Sequence, residues 1–365
     1  MTATSRALYS FSFFATIFLA LAFVRADEPE ETTRYEYSAE KMGVPIRVVL
    51  YASSEREARA AVDAALERFD AVNAALSDYD PESEITRVCK KIDETNDFVE
   101  ISAEVRKVLA ESRLYCELTN GAFDVTVSPV VKLWRRSRYF RELPPSRALE
   151  SAKSKVGIGV WELGERGLKT NPGVRFDVGG IAKGVALDEA LDAIRALGIN
   201  SALIDASGDA RMGSAPPGKK GWKIGVSSLT DEPVGYCELS NVGICSSGDA
   251  NRYVEIDGVR YSHIVDPRTC EPLTRRCVSA VIAPTATTAD VLASARCVLD
   301  DAEFLEVIAR VKASGLVRRD GDDLLEHLLI LANETAEHPL SLSTATVRAS
   351  SFFQTEFFPG SPVLK

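Results

Sequence analysis

Apolar positions along this chain alternate between runs of period two and runs of period 3.6, a pattern that predicts interleaved strands and helices. Arg34 to Ser38 and Val44 to Tyr51 read as strands, the second with Val44, Ile46, Val48 and Leu50 on one face. Lys41-Met42-Gly43 between them is a turn that exposes its methionine. Ser54 to Leu76 is a long amphipathic helix, with Ala61, Ala65, Leu66, Phe69, Val72 and Leu76 facing inward. It gives way to an acidic turn, SDYDPESEITRV, centred on Tyr79 and stopped by Pro81. A second helix is predicted from Ser102 to Leu118, ending at Asn120-Gly121. GAFDVTVSPVVKLW follows, an acid among bulky apolar groups leading into a strand-like run. Arg135 to Pro145 reads as a solvated basic and aromatic loop, and Trp161 to Pro172 as a short hairpin.

The central stretch is FDVGGIAKGVALDEALD, Phe176 to Asp192. It reads as a strand end closing on Asp177, a Gly179-Gly180 turn, Lys183, and a helix with Val185, Leu187, Leu191 and Ile194 at helical spacing. A helix start of this kind presents unpaired N–H groups and a positive dipole, which suits a phosphate. Tight packing alone also explains a glycine pair, so the stretch by itself decides nothing. Beyond it, Gly198 caps the helix and Ala202 to Ile204 is a buried strand ending on Asp205. Trp222 to Ser227 and Tyr236 to Leu239 alternate as strands. Ser246-Ser247-Gly248-Asp249 reads as a turn before a hairpin at Asp257-Gly258, which delivers His263 to a turn held by Pro267. Cys277 to Ala283 is a strand, and TATTADVLASARCVLD a helix. After about Glu334 the pattern weakens, although SFFQTEFF offers a last strand.

Composition narrows the function classes. With 365 residues, 45% hydrophobic and 26% charged, the chain has material for a sizeable core. Its net charge of −10 argues against nucleic acid or an anionic membrane as a general partner, so an anionic ligand needs a local cation. Residues 1–26 carry Arg6, an uncharged run from Ala7 to Val24 and a VRA end, which predicts an export signal cleaved after Ala26. The run is also long enough for an uncleaved anchor. The seven cysteines are scattered without CxxC spacing and read mainly as small buried hydrophobes; a Cys270–Cys277 pair stays open. With three histidines and no ligand spacing, zinc is not expected.

Three features carry chemistry. Asp290 and Ser294, four residues apart, put two hard oxygen donors on one helical face, an arrangement that suits Mg²⁺, although a helix-start acid with a small packing serine gives the same pattern. His263 lies in a turn rather than an apolar run. Lys183 sits where a phosphate cation would, a position that a simply solvated surface lysine also takes.

Taken together, DVGGIAKG, SSGDANRY, YSHIVDPRTCEP, GAFDVTVSPVVKLW and ADVLAS resemble, in that order, the FAD:protein FMN transferases, the flavin transferases known as ApbE. The resemblance covers roughly Met42 to Leu299. It implies a single α/β (mixed α+β) T-fold domain with packed helices over residues 27–335, with 336–365 a tail or a last strand of the same domain. It implies FAD as substrate, Mg²⁺, and transfer of FMN to a threonine or serine hydroxyl of an exported or membrane-bound redox flavoprotein, with release of AMP. Carried over by position, Met42, Tyr79, Ala122, Phe123, Asp124, Asp177, Lys183 and Ile264 match FAD contacts. Gly180 (through its carbonyl), Asp290 and Ser294 match metal ligands, and His263 matches the residue that would deprotonate the acceptor hydroxyl.

Several positions depart from the family pattern. Ser294 and Ser246 replace threonines and keep the oxygen. Cys270 and Ser207 stand where glycine is usual, so a positive φ there would be strained. Two other readings remain: a Mg²⁺-dependent FAD pyrophosphatase, if water replaces the hydroxyl, and an exported flavin-binding protein without turnover. Export places the mature chain in the periplasm or cell envelope.

Overall fold

A computed structural model describes residues 32–230, 232–250, 252–317, 325–331, 346–350 and 353. The candidate export segment lies outside them, as does SFFQTEFF apart from Phe353. In chain order the elements begin with β1 (Thr33–Lys41), β2 (Val44–Ala52), α1 (Glu55–Leu76), α2 (Glu84–Thr95), α3 (Ala103–Leu118), α4 (Ser128–Phe140) and α5 (Ser146–Lys153). Then come β3 (Trp161–Gly164), β4 (Gly167–Thr170), α6 (Ala182–Ala196), β5 (Ala202–Ala206), β6 (Asp209–Met212), β7 (Trp222–Val226), β8 (Gly235–Leu239) and β9 (Gly243–Gly248). The chain continues through β10 (Tyr253–Ile256), β11 (Val259–Ser262), β12 (Val265–Asp266), β13 (Glu271–Pro272), β14 (Cys277–Ala283), α7 (Ala286–Val298), α8 (Asp301–Ser314), β15 (Glu326–Leu331) and β16 (Thr346–Ala349).

The principal sheet has eight strands in the order β1-β2-β5-β6-β9-β14-β15-β16, and each of its ladders is antiparallel. The mixed α and β character therefore comes from helices laid on an antiparallel sheet. Period-two alternation sorts side chains to its two faces. Ile46, Val48, Leu50, Ala202, Ile204, Cys245 and Val281 join a core with α1, α6 and α7. Val49, Leu203, Met212, Ile244, Ala280 and Ile330 face the other way and pack with Trp222, Ile224 and Leu239 of the β7–β8 hairpin.

The register gathers several loops at one end of the sheet. Ile46 pairs with Ala206 and Ala206 with Asp209, so the Met42 turn and the β5–β6 turn lie together. Ala210 pairs with Ile244 and Val278 with Gly248, which brings the end of β9 there as well. From the far end of β14, α7 runs back toward these loops.

Several expectations are corrected. The segment ending at Asp177 is not a strand: its amide donates to the Val125 carbonyl at 2.6 Å rather than entering a ladder. Val125 to Val131 forms a 3₁₀ turn followed by the start of α4, because Pro129 sits at a helix start, where its missing N–H costs nothing. Arg135 to Phe140 belongs to α4, so it is no surface loop. Ser246 to Gly248 ends β9 rather than forming a turn. Met42 is half-buried at φ 53° and packs on the main core. The helix α2 carries Ile85, Val88, Cys89 and Ile92 at helical spacing, although only an acidic turn was expected in its neighbourhood. All seven cysteines are free thiols, Cys270 and Cys277 included.

Candidate active site

The turn into α6 is built by close approach. A Cβ on Gly184 would come within 2.6 Å of the Ala286 carbonyl oxygen, so only glycine lets α6 cross the start of α7. A Cβ on Gly180 would meet the Ser294 hydroxyl at 3.1 Å and the Phe123 ring at 3.3 Å. Asp188 on α6 reinforces the crossing. Its carboxylate accepts from the amides of Ala286 and Thr287 at 2.9 and 2.8 Å, and it pairs with the buried Arg211 at 2.7 Å.

The amides at the α6 start are largely taken by the protein itself. Gly179 donates to Asp177, Ile181 and Ala182 to the Val178 carbonyl, and Gly184 to Asp290 at 3.1 Å. The anion at this helix start is thus the Asp290 carboxylate, not an open phosphate cradle. Asp290 is 3% exposed, and burial pushes its carboxyl up to about 7, opposed by the Lys183 ammonium and assisted by Asp209. Lys183 is itself ion-paired with the buried Asp209. Burial pulls its ammonium down, but Asp209 and Asp290 more than reverse this and raise its pKa. Asp209 also accepts the Ser246 amide at 2.8 Å. Two carboxylates therefore share one cation, and the cluster is short of positive charge when both are ionised.

Ser294 lies one turn beyond Asp290 on α7, and its hydroxyl is 3.0 Å from that of Ser247. The structure thus brings Gly180, Asp290 and Ser294 to the same α6–α7 crossing. Among the described residues no group of three or more His, Cys, Asp or Glu is arranged to hold a metal. The donors here are one carboxylate and neutral oxygens. Such a set suits a hard cation that keeps water or substrate oxygens as its other ligands, and the buried Asp290 gives it a charge to answer.

His263 follows β11. Its Nδ1 lies 3.2 Å from the Arg252 carbonyl, an acceptor only, so Nδ1 carries the proton and Nε2 is left as the acceptor. Burial, helped by Arg252 and Arg138, pulls its pKa down to about 4. Ile264 beside it is half-buried against the core. Ala122, Phe123 and Asp124 are buried. The Asp124 carboxylate is occupied internally, accepting from the Thr126 amide at 2.8 Å and its hydroxyl at 2.6 Å. Cys270 and Ser207 both have positive φ, 62° and 58°, so each puts a side chain in a conformation that favours glycine.

A second cluster surrounds Asp177. Arg135 reaches from α4 to Asp177 at 3.1 Å and to Asp78 at 2.9 Å, with its guanidinium 4.4 Å from the centre of the Tyr79 ring. Tyr79 is 76% exposed. Burial and Asp78 raise the Asp177 carboxyl, and Arg135 opposes the rise. Sequence reasoning passed over Arg135 by reading it as a solvated loop. It named neither Asp209 nor Asp188, although Ser207, two residues before Asp209, stands where glycine is usual. A cavity of about 480 Å³ is lined by Ser246 and Ser247 together with Ser228, Thr230 and Pro233 of the β7–β8 connection.

A model of the ApbE family matches residues 42–316. The chain is 34% identical over 248 residues to the FAD:protein FMN transferase of Haemophilus influenzae, covering 65% of this chain and 71% of that protein. It is 30% identical over 243 residues to the protein of that name from Vibrio cholerae, covering 65% and 72%. Among solved structures, the ApbE protein from Thermotoga maritima is similar with a TM-score of 0.73 at 28% identity, covering 89% of this chain and 99% of that one.

Proposed function

The chain belongs to the ApbE family, and from that premise we propose that it transfers the FMN half of FAD to a threonine or serine hydroxyl of an acceptor flavoprotein, releasing AMP. The observation that carries the chemistry is the fully buried Asp290, held at the α6 start beside Lys183, Asp209 and Ser294. A buried carboxylate with one shared cation and neighbouring hydroxyl oxygens suits a divalent ion. We assign Mg²⁺ to Asp290, Ser294 and the Gly180 carbonyl. When bound, it would supply positive charge against the pyrophosphate, whose oxygens otherwise repel a nucleophile.

The remaining work falls to this chain's own residues. Lys183, fixed by Asp209, adds positive charge near the Asp290 site. His263 is unprotonated at neutral pH with Nε2 available, so it can accept the proton of the acceptor hydroxyl. A pKa of about 4 makes it a weak base, and the negative charge of a pyrophosphate bound close to it would raise that value. The hydroxyl oxygen forms a bond to the FMN phosphorus, the bond to AMP breaks, and AMP leaves with the electron pair. Tyr79 and Met42, at loops bordering the site, are assigned to the flavin dinucleotide. Read as an export signal, the N-terminal segment would carry the mature chain outside the cytoplasm, where an exported or membrane-bound redox flavoprotein would be the acceptor.

AMP release from FAD tests this, measured with and without Mg²⁺ and in Asp290→Asn. Release that requires Mg²⁺ and is lost in the variant supports the assignment, whereas release unaffected by either contradicts it. AMP and free FMN formed equally well with or without acceptor would favour the pyrophosphatase.

A further inference from the structure

Arg135 contacts two residues that the flavin reading assigns to FAD, yet nothing so far gives it a role. One nitrogen of its guanidinium holds Asp78 and another holds Asp177, at 2.9 and 3.1 Å. Both carboxylates are nearly buried, with side chains 9% and 13% exposed. Two buried carboxylates this close to one another repel, and the cation between them removes that repulsion. Asp177 in turn accepts the Gly179 amide at 3.0 Å, so the same guanidinium fixes the turn that leads to Gly180 and Lys183. The face of the guanidinium lies 4.4 Å from the Tyr79 ring centre. That ring is otherwise exposed to solvent, an unusual position for a tyrosine not held by packing. One face of it rests on Arg135, which leaves the other free for a planar aromatic group.

From this geometry we infer that Arg135 is a positioning residue for the flavin dinucleotide: it clamps the Tyr79 loop to the Asp177 turn, so that the open face of Tyr79 and the Gly179-Gly180 turn are presented as one surface. The inference rests on the flavin reading of the site. Planarity and the fork of donors both matter. A lysine in its place keeps the charge but cannot bridge two carboxylates while lying flat on a ring.

The test is FAD affinity, followed by flavin fluorescence on the full protein, for wild type, Arg135→Lys, Arg135→Ala, Tyr79→Leu and the double variant Arg135→Lys/Tyr79→Leu. Arg135→Lys is expected to weaken FAD binding at least about tenfold and raise KM for FAD, with kcat at saturating FAD little changed. Because Arg135 acts partly through Tyr79, the double variant should lose less affinity than the sum of the two single losses. Thermal unfolding of Arg135→Lys, expected near that of wild type, separates positioning from a loss of fold. Arg135→Lys and Arg135→Ala binding FAD as tightly as wild type would overturn the inference alone. Losses that simply add in the double variant would also overturn it. Wild-type protein that binds no FAD would instead remove the flavin reading, and this inference with it.

Discussion

His263 is held neutral by burial and by its basic neighbours, with Nδ1 committed to the Arg252 carbonyl. If its Nε2 takes the acceptor proton, His263→Ala should slow transfer by about 10²–10⁴-fold while leaving FAD affinity unchanged. Rate and binding measured on the same preparation check this, and a variant that keeps its rate would remove His263 from the chemistry. Ser207 makes a different kind of statement. It is exposed with φ 58°, a conformation that costs any residue with a Cβ. Ser207→Gly should therefore stabilise the protein by about 0.5–1 kcal/mol, read as a higher denaturant midpoint. At this scale the sequence singles out residues whose type is rare, as with His263, or which a motif surrounds, as with Asp290. It was silent on Arg135 and Asp209, because their roles come from partners 42 and 26 residues away along the chain.

Elements with a clean period were legible. The helices α1 and α3 and the strands β2 and β14 lie within a residue or two of where the apolar pattern puts them. The failures have physical causes. The run before Pro129 is rich in β-branched residues and reads as a strand, but it forms a 3₁₀ turn and Pro129 sits at the start of a helix. The segment before Asp177 has a strand's composition, yet no neighbouring strand pairs with it. The paired carboxylate and hydroxyl on α7 were legible from their spacing of four. The crossing that brings Gly180 to them was not, because it depends on the fit of two helices distant in sequence. That crossing gives a prediction: Gly184→Ala should destabilise by about 1–3 kcal/mol, since its Cβ would press on the Ala286 backbone. Urea unfolding checks it, and an unchanged midpoint would mean α6 and α7 are not held this closely.

For the molecule as a whole, the buried cluster at the sheet end links stability to ions. Mg²⁺ should raise the melting temperature, by the equivalent of about 2.7 kcal/mol at a hundred times its Kd, and Asp290→Asn should abolish the rise. An equal rise in the variant would place the metal elsewhere. Stability should also depend on pH through His327, which packs against Phe304 and whose pKa burial lowers to about 4. An unfolded histidine takes its proton near pH 6.5. Between there and about 4 the unfolded chain binds more protons, so this contribution to stability declines as pH falls through that window and is flat above it. His327→Gln should lessen that decline, and an unchanged slope between pH 7 and 4 would contradict the linkage. The antiparallel sheet with helices on one face and the β7–β8 hairpin on the other sets the frame for all of this, by bringing the Met42 turn, Asp209 and the end of β9 to one end. The measurement that bears most directly on the central claim is the intact mass of an acceptor flavoprotein domain after incubation with this protein, FAD and Mg²⁺. A gain of one FMN on a threonine or serine, with an equal amount of AMP, is the expected result; an unmodified acceptor beside free FMN and AMP would contradict it.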